Sequence, residues 1–146
     1  MSGSVRIATG MAAGLLAAAF ASPAFAACDV SAQSVAFASY NPFSPTALDG
    51  VGNVHISCDS LSTIVTVSLS AGNGTITQRR MTGGPMRLNY NLYRDAARLV
   101  VWGEGSASVT SAVVRNLDLP VYGRIPALQN VPASVYLDSI IVTITY

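Results

Sequence analysis

The chain has 146 residues, 51% of them apolar and only 10% charged, with eight basic and seven acidic side chains. Every basic residue is an arginine, and so near-neutral a balance excludes the basic surface that nucleic-acid binding requires. One histidine, no lysine and two cysteines leave little from which to build a proton shuttle or an activated nucleophile.

Residues 1–26 read as a secretory leader. Arg6 supplies the positive start, "IATGMAAGLLAAAF" (7–20) the apolar stretch, and Ala24 and Ala26 an A-x-A cleavage site. Cleavage after Ala26 leaves a single domain, Ala27 to Tyr146, with seven charges of each sign. Two alternatives compete. A buried helix or membrane anchor is opposed by the short length and by Pro23, and a lipoprotein modified at Cys28 by Phe25 standing where leucine is usual.

In an exported chain, Cys28 and Cys58 read as a disulfide. The competing reading is a metal site made by His55 and Cys58 of "HISC" with Cys28. It lacks a fourth ligand, and a strand would send His55 and Cys58 to opposite faces. No metal and no cofactor is expected.

No helical period appears; short alternating runs do, separated by Gly, Pro, Asn and Asp. "SVAFASY" (34–40) carries Val35 and Phe37 two apart. "GNVHISCD" (52–59) aligns Val54, Ile56 and Cys58, and "TIVTVSLSA" (63–71) aligns Val65, Val67 and Leu69. "AGNGT" (71–75) is a turn by its chemistry. "MRLNYNLY" (86–93) aligns Leu88, Tyr90 and Leu92, and Asp95, Ala96 and Ala97 then favour a tight turn. "SASVTSAVV" (106–114) is a weaker strand. "NLDLPVYGRI" (116–125) lines up Leu117, Leu119, Val121, Gly123 and Ile125, with Pro120 on the opposite phase marking an edge or bulge. "SIIVTITY" (139–146) closes the chain, with Ile140, Val142, Ile144 and Tyr146 on one face. Six or seven strands at this spacing predict a β-sandwich, with a closed barrel as the alternative.

No nucleophile elbow, phosphate loop or persuasive carboxylate pair is present, so no enzymatic activity is expected. Trp102, Tyr90, Tyr93 and Tyr122 offer a carbohydrate-binding platform, set against ordinary core packing.

Four stretches together resemble a known family: "CDVSAQSVAFASYNPF", "LDGVGNVHISC", "RRMTGGPMRLNYNLYRDAARLVVWGEG" and "VYGRIPALQNVPASVYLDSIIVTITY". They are similar to the spore coat protein U domain shared by subunits of archaic (Csu-type) chaperone–usher pili. The resemblance implies an incomplete immunoglobulin-like sandwich of Greek-key type that lacks its final strand. A periplasmic pilus chaperone fills the gap first and a neighbouring pilin-like subunit second, at an outer-membrane usher. It further implies that Ile140, Val142, Ile144 and Tyr146 form the acceptor face, and that basic chaperone residues grip the carboxylate of Tyr146. The Cys28–Cys58 disulfide fits the same pattern. With only Ala27 ahead of Cys28, no donor arm is expected, which implies an acceptor-only tip or end subunit exported to the cell surface. A surface or glycan receptor is a further expected partner. The alternatives are a coat or matrix protein that does not polymerise and a carbohydrate-binding module.

Overall fold

The computed structural model describes residues 27–146, and the expected leader at 1–26 lies outside them. Six strands follow in chain order: β1 (Cys28–Ala36), β2 (Leu48–Leu69), β3 (Arg79–Gly83), β4 (Met86–Tyr93), β5 (Val109–Ile125) and β6 (Val142–Thr145). All pair antiparallel, and they form an all-β, immunoglobulin-like sandwich.

β2 and β5 are its spine. They run side by side from Leu48 opposite Ile125 to Val67 opposite Val109. The apolar phase of β2 changes partway: Val54, Ile56 and Cys58 are even-numbered, Val65, Val67 and Leu69 odd, yet all six are buried. Strict alternation would turn one set toward solvent. The register instead shifts between Ser57 and Leu61 and again between Leu61 and Thr63. Over that span β2 advances from 57 to 63 while β5 moves only from 116 to 113, so three extra β2 residues are absorbed. An odd insertion inverts the phase, as a bulge does. The expected strands at 52–59 and 63–71 are therefore halves of one strand, as are those at 106–114 and 116–125. No glycine or proline interrupts either join.

The other strands hang on this spine. β1 pairs with β2 at Val51–Cys58 and β6 at Thr66–Leu69, both on the flank of β2 away from β5. β4 joins β5 at Tyr122–Arg124, and β3 pairs with β4. Pro120 sits opposite Asn53 in the β2–β5 ladder, short of the stretch where β4 covers the far flank of β5. A missing N–H is tolerated on such a one-sided stretch.

Three expectations need correction. The first strand is Cys28–Ala36, not 34–40: the ladder starts where Cys28 faces Cys58, and Phe37–Tyr40 leave it after an irregularity between Gln33 and Ala36. β3 was not anticipated, because the inward position that begins it is occupied by Arg79. The last strand spans only Val142–Thr145, because Ser139–Ile141 turn toward the 70–73 region, where Ile141 N–H donates to Ser70 Oγ at 2.9 Å.

Arg79 is 0% exposed and fully partnered. Its Nε donates to the Ser70 carbonyl at 2.9 Å, Nη1 to Asn91 Oδ1 at 2.7 Å, and Nη2 to the carbonyls of Trp102 at 2.8 Å and Leu69 at 3.3 Å. Asn91 in turn donates to the carbonyls of Ile76 and Thr77. The pair thus ties the 70–78 turn to β4 and to the Trp102 segment. Burial lowers the Arg79 pKa, yet no carboxylate contacts it; carbonyl dipoles hold the charge. Arg79→Met should destabilise the domain by about 3 kcal/mol or more, since it strands several buried acceptors at once. Urea unfolding measures this, and a loss below about 1 kcal/mol would refute it.

Cys28 and Cys58 face each other across β1 and β2 and are joined in a disulfide with sequence separation 30. A closed loop of this length contributes about 3–4 kcal/mol in the chain-entropy model. The Cys28→Ala/Cys58→Ala double variant should lose about that much in urea unfolding, and an unchanged midpoint would contradict it.

Candidate functional site

Because β1 and β6 lie along the same flank of β2, their outer edges open on the same side of the sandwich. Among the described ladders each pairs with β2 alone. Between them lies an apolar groove holding a cavity of about 530 Å³. Residues 32–40 form one wall and 134–142 supply the other, while Val54, Leu69, Leu88, Tyr90, Val121 and Ile125 line its floor. The floor therefore belongs to the core itself.

The inward face of β1 is open. Val30 is paired with Ile56 and Ala32 with Val54, so both point to the core side. Ile56 is 0% exposed, whereas Val30 is 39% exposed and Ala32 is exposed as well. Apolar side chains on the core face of a strand are normally covered by the facing sheet.

Of the residues expected on the acceptor face, Ile140 and Val142 border the cavity and pack on the core. Ile144 packs on the core from the same face of β6 without bordering the cavity. Tyr146 lies one residue beyond β6 and is 57% exposed. Sequence reasoning missed the opposite wall, residues 32–40, and missed Asp138. The available signal was that Asp138 is the single charged residue between Ile125 and Tyr146.

Asp138 fixes the second wall. Its Oδ1 accepts from the N–H groups of Asn73 at 3.0 Å and Ser139 at 2.8 Å, and its Oδ2 accepts from the Tyr90 hydroxyl at 2.7 Å. One residue earlier, Leu137 and Thr82 exchange backbone hydrogen bonds at 2.8 and 3.0 Å; further on, Ser70 N–H donates to the Ile141 carbonyl at 3.0 Å. The chain thus crosses from the edge of β3 to the edge of β2. Among the described residues lining the groove, Asp138 is the sole charged side chain, and it is engaged in these bonds.

Two of the four aromatics weighed as a platform lie in the core, while Tyr93 and Tyr122 are half-buried. Trp102 is 1% exposed, donates from Nε1 to the Val67 carbonyl at 3.0 Å, and Tyr90 is buried, so neither can stack on a sugar. Tyr122 lies beneath the Arg98 guanidinium, 5.6 Å from its ring centre. The alternative metal site is also not assembled: both sulfurs are in the disulfide, and His55 Nδ1 lies 2.9 Å from Asp118 Oδ1 on the outer face.

The fold and this geometry define an immunoglobulin-like β-sandwich with one open, apolar side. A sequence profile of the Spore Coat Protein U domain matches residues 14–143, and the chain belongs to that family. It is 34% identical over 110 residues to Protein U of Myxococcus xanthus, a match covering 68% of this chain and 61% of that protein. The chain thus spans less than two thirds of that relative's length. In fold it is similar to a chain in the crystal structure of the CsuC-CsuE chaperone-tip adhesion subunit pre-assembly complex from archaic chaperone-usher Csu pili of Acinetobacter baumannii. The TM-score is 0.63 at 21% identity, covering 84% of this chain and 40% of that one.

Burial, reinforced by the bond to Asp138, raises the Tyr90 pKa far above its ordinary value of 10.0. The folded state therefore keeps a proton that the unfolded chain releases above about pH 10, so stability should be full below that pH and fall as pH rises past it. Tyr90→Phe should be less stable at pH 8 and should show a shallower alkaline decline. Urea midpoints between pH 8 and 11 test this; parallel declines in both proteins would overturn it.

Proposed function

We propose that this protein is a non-enzymatic structural subunit of a surface fibre, exported to the cell surface of a Gram-negative bacterium, whose groove accepts an extended strand from another chain. The carrying observation is the pair of unpaired strand edges flanking an apolar cavity floored by buried core. An extended segment laid there would hydrogen-bond to an open edge and place alternate side chains on the floor, which is strand addition. In the chaperone–usher reading a periplasmic chaperone supplies that strand first. A neighbouring pilin-like subunit then replaces it at an outer-membrane usher. The fold likeness to a chain of a chaperone–tip subunit complex supports the chaperone as a partner. An end position in the fibre is the finer reading, supported by β1: its pairing over Cys28–Ala36 and its disulfide keep it from being donated.

A second reading, a coat or matrix protein that does not polymerise, is supported by the Spore Coat Protein U family match. Immunogold labelling separates the two: thin fibres carry the first, diffuse envelope staining the second.

Val142 borders the groove while Thr143, its neighbour, points outward. Val142→Asp should weaken capture by a co-expressed cognate chaperone by about a hundredfold or more, since a charge would enter an apolar site. Thr143→Asp should weaken it less than about fivefold. Equal effects in a pull-down would place the binding face elsewhere. Ile144→Asp is the poorer probe, because Ile144 packs on the core without bordering the cavity.

A further inference from the structure

Three inward positions at one end of the β1–β2–β5 sheet carry no side chain. Gly50 and Gly52 of β2 continue the phase of Val54 and Ile56, and Gly123 of β5 is paired with Gly50. The hollow is filled from the edge, by Val35 and Phe37. A Cβ at 123 would lie 2.5 Å from Phe37 Cζ and 2.7 Å from Val35 Cγ1, and one at 50 would lie 2.9 Å from Phe37 Cδ1. Phe37 also meets Tyr90 edge-on, with ring centres 6.3 Å apart, and both rings line the groove cavity. The glycines therefore let Phe37 sink toward the sheet, and its depth sets how wide the groove is at this end.

Resting on the strand-acceptor reading, we propose that Phe37, seated on this glycine floor, is the residue that limits the size of the side chain the groove takes. The occupant is an extended segment of a partner chain with an uncharged aliphatic anchor at that point. Selection there is by volume, because the carboxylate of Asp138 is already engaged by Tyr90, Asn73 and Ser139. Two substitutions act in opposite directions. Phe37→Ala removes the ring and widens the groove. The nearest atoms a Cβ at 123 would meet belong to the side chains of Phe37 and Val35, so Gly123→Ala pushes them outward and narrows it. The corresponding changes at Gly50 and Gly52 are less useful, because their new Cβ atoms would strike backbone carbonyl oxygens of Ala36 and Gln33 at 2.6 Å.

The probe is a short peptide of alternating Val and Thr in which each Val in turn is replaced by Ala, Leu or Trp. It is titrated onto the disulfide-bonded chain by calorimetry. At one peptide position the wild type should prefer Leu to Trp by about tenfold, a hydrophobic pocket's usual discrimination. Phe37→Ala should reverse that preference at the same position, and Gly123→Ala should shift it toward Ala. The ratio between anchors is the readout because a general loss of stability weakens all peptides alike. Phe37→Leu, with the same direction and a smaller effect, serves if Phe37→Ala does not fold. Peptides that bind with anchor ratios unchanged in both variants would overturn the role of Phe37 while leaving the groove intact. No binding of any peptide to the wild type would instead sink the strand-acceptor reading, and this inference with it.

Discussion

Everything in this fold depends on one pairing, the long ladder between β2 and β5. Its three extra β2 residues keep Val54, Ile56 and Cys58 in the same core as Val65, Val67 and Leu69. Without that inversion one half of β2 would present its apolar side to water, and the sandwich would have no common interior. The ladder also fixes where the remaining strands go. With β5 on one flank, β1 and β6 are left the other, in series along β2. The open side of the sandwich follows from that placement.

An open side is costly, since every 100 Å² of apolar surface left in water forgoes about 2.5 kcal/mol. The structure offsets this with polar fastenings around the gap. Arg79 and Asn91 bind the 70–78 turn, β4 and the Trp102 segment through main-chain carbonyls. Asp138 binds the approach to β6 to Tyr90 and to the same turn. The disulfide fastens the first residue of β1 to β2.

Much of the core was legible because alternation is a backbone fact. Val54, Ile56, Leu88, Tyr90, Leu92, Val121 and Ile125 were read correctly from period alone, and all are buried. The misses share a different cause. β3 was hidden because its first inward residue is Arg79, whose burial is made possible by carbonyls outside the strand, at Leu69, Ser70 and Trp102. β1 was misplaced because its own residues, Asp29, Ser31, Gln33 and Ser34, are polar, and the strand exists through its pairing with β2. Half of the groove was visible as the face of Ile140 and Val142. The wall at 32–40 was not, because what makes it a wall is a departure from the ladder over a glycine floor. Trp102 was weighed between a ligand platform and core packing, and its burial bears out the core. Tyr146 shared the period of β6 but not its ladder.

The distribution of charge bears on why the edges remain open. Proteins that must not pair through a sheet edge place charges, prolines or bulges along it. Here residues 30–48 carry no charged side chain, and neither do residues 139–146. The first range contains the wall at 32–40; the second contains the end of the other wall, beyond Asp138, and β6, which reads simply Val-Thr-Ile-Thr. Charged residues sit elsewhere, as in the Asp49–Arg98–Arg124 cluster on the outer surface near the end of β5. In a chain with so few charges this separation leaves both edges chemically able to pair, and the floor between them apolar. An edge left unguarded on both sides of a cavity is a hazard in a protein that stays alone. It is the required condition in one that receives a strand.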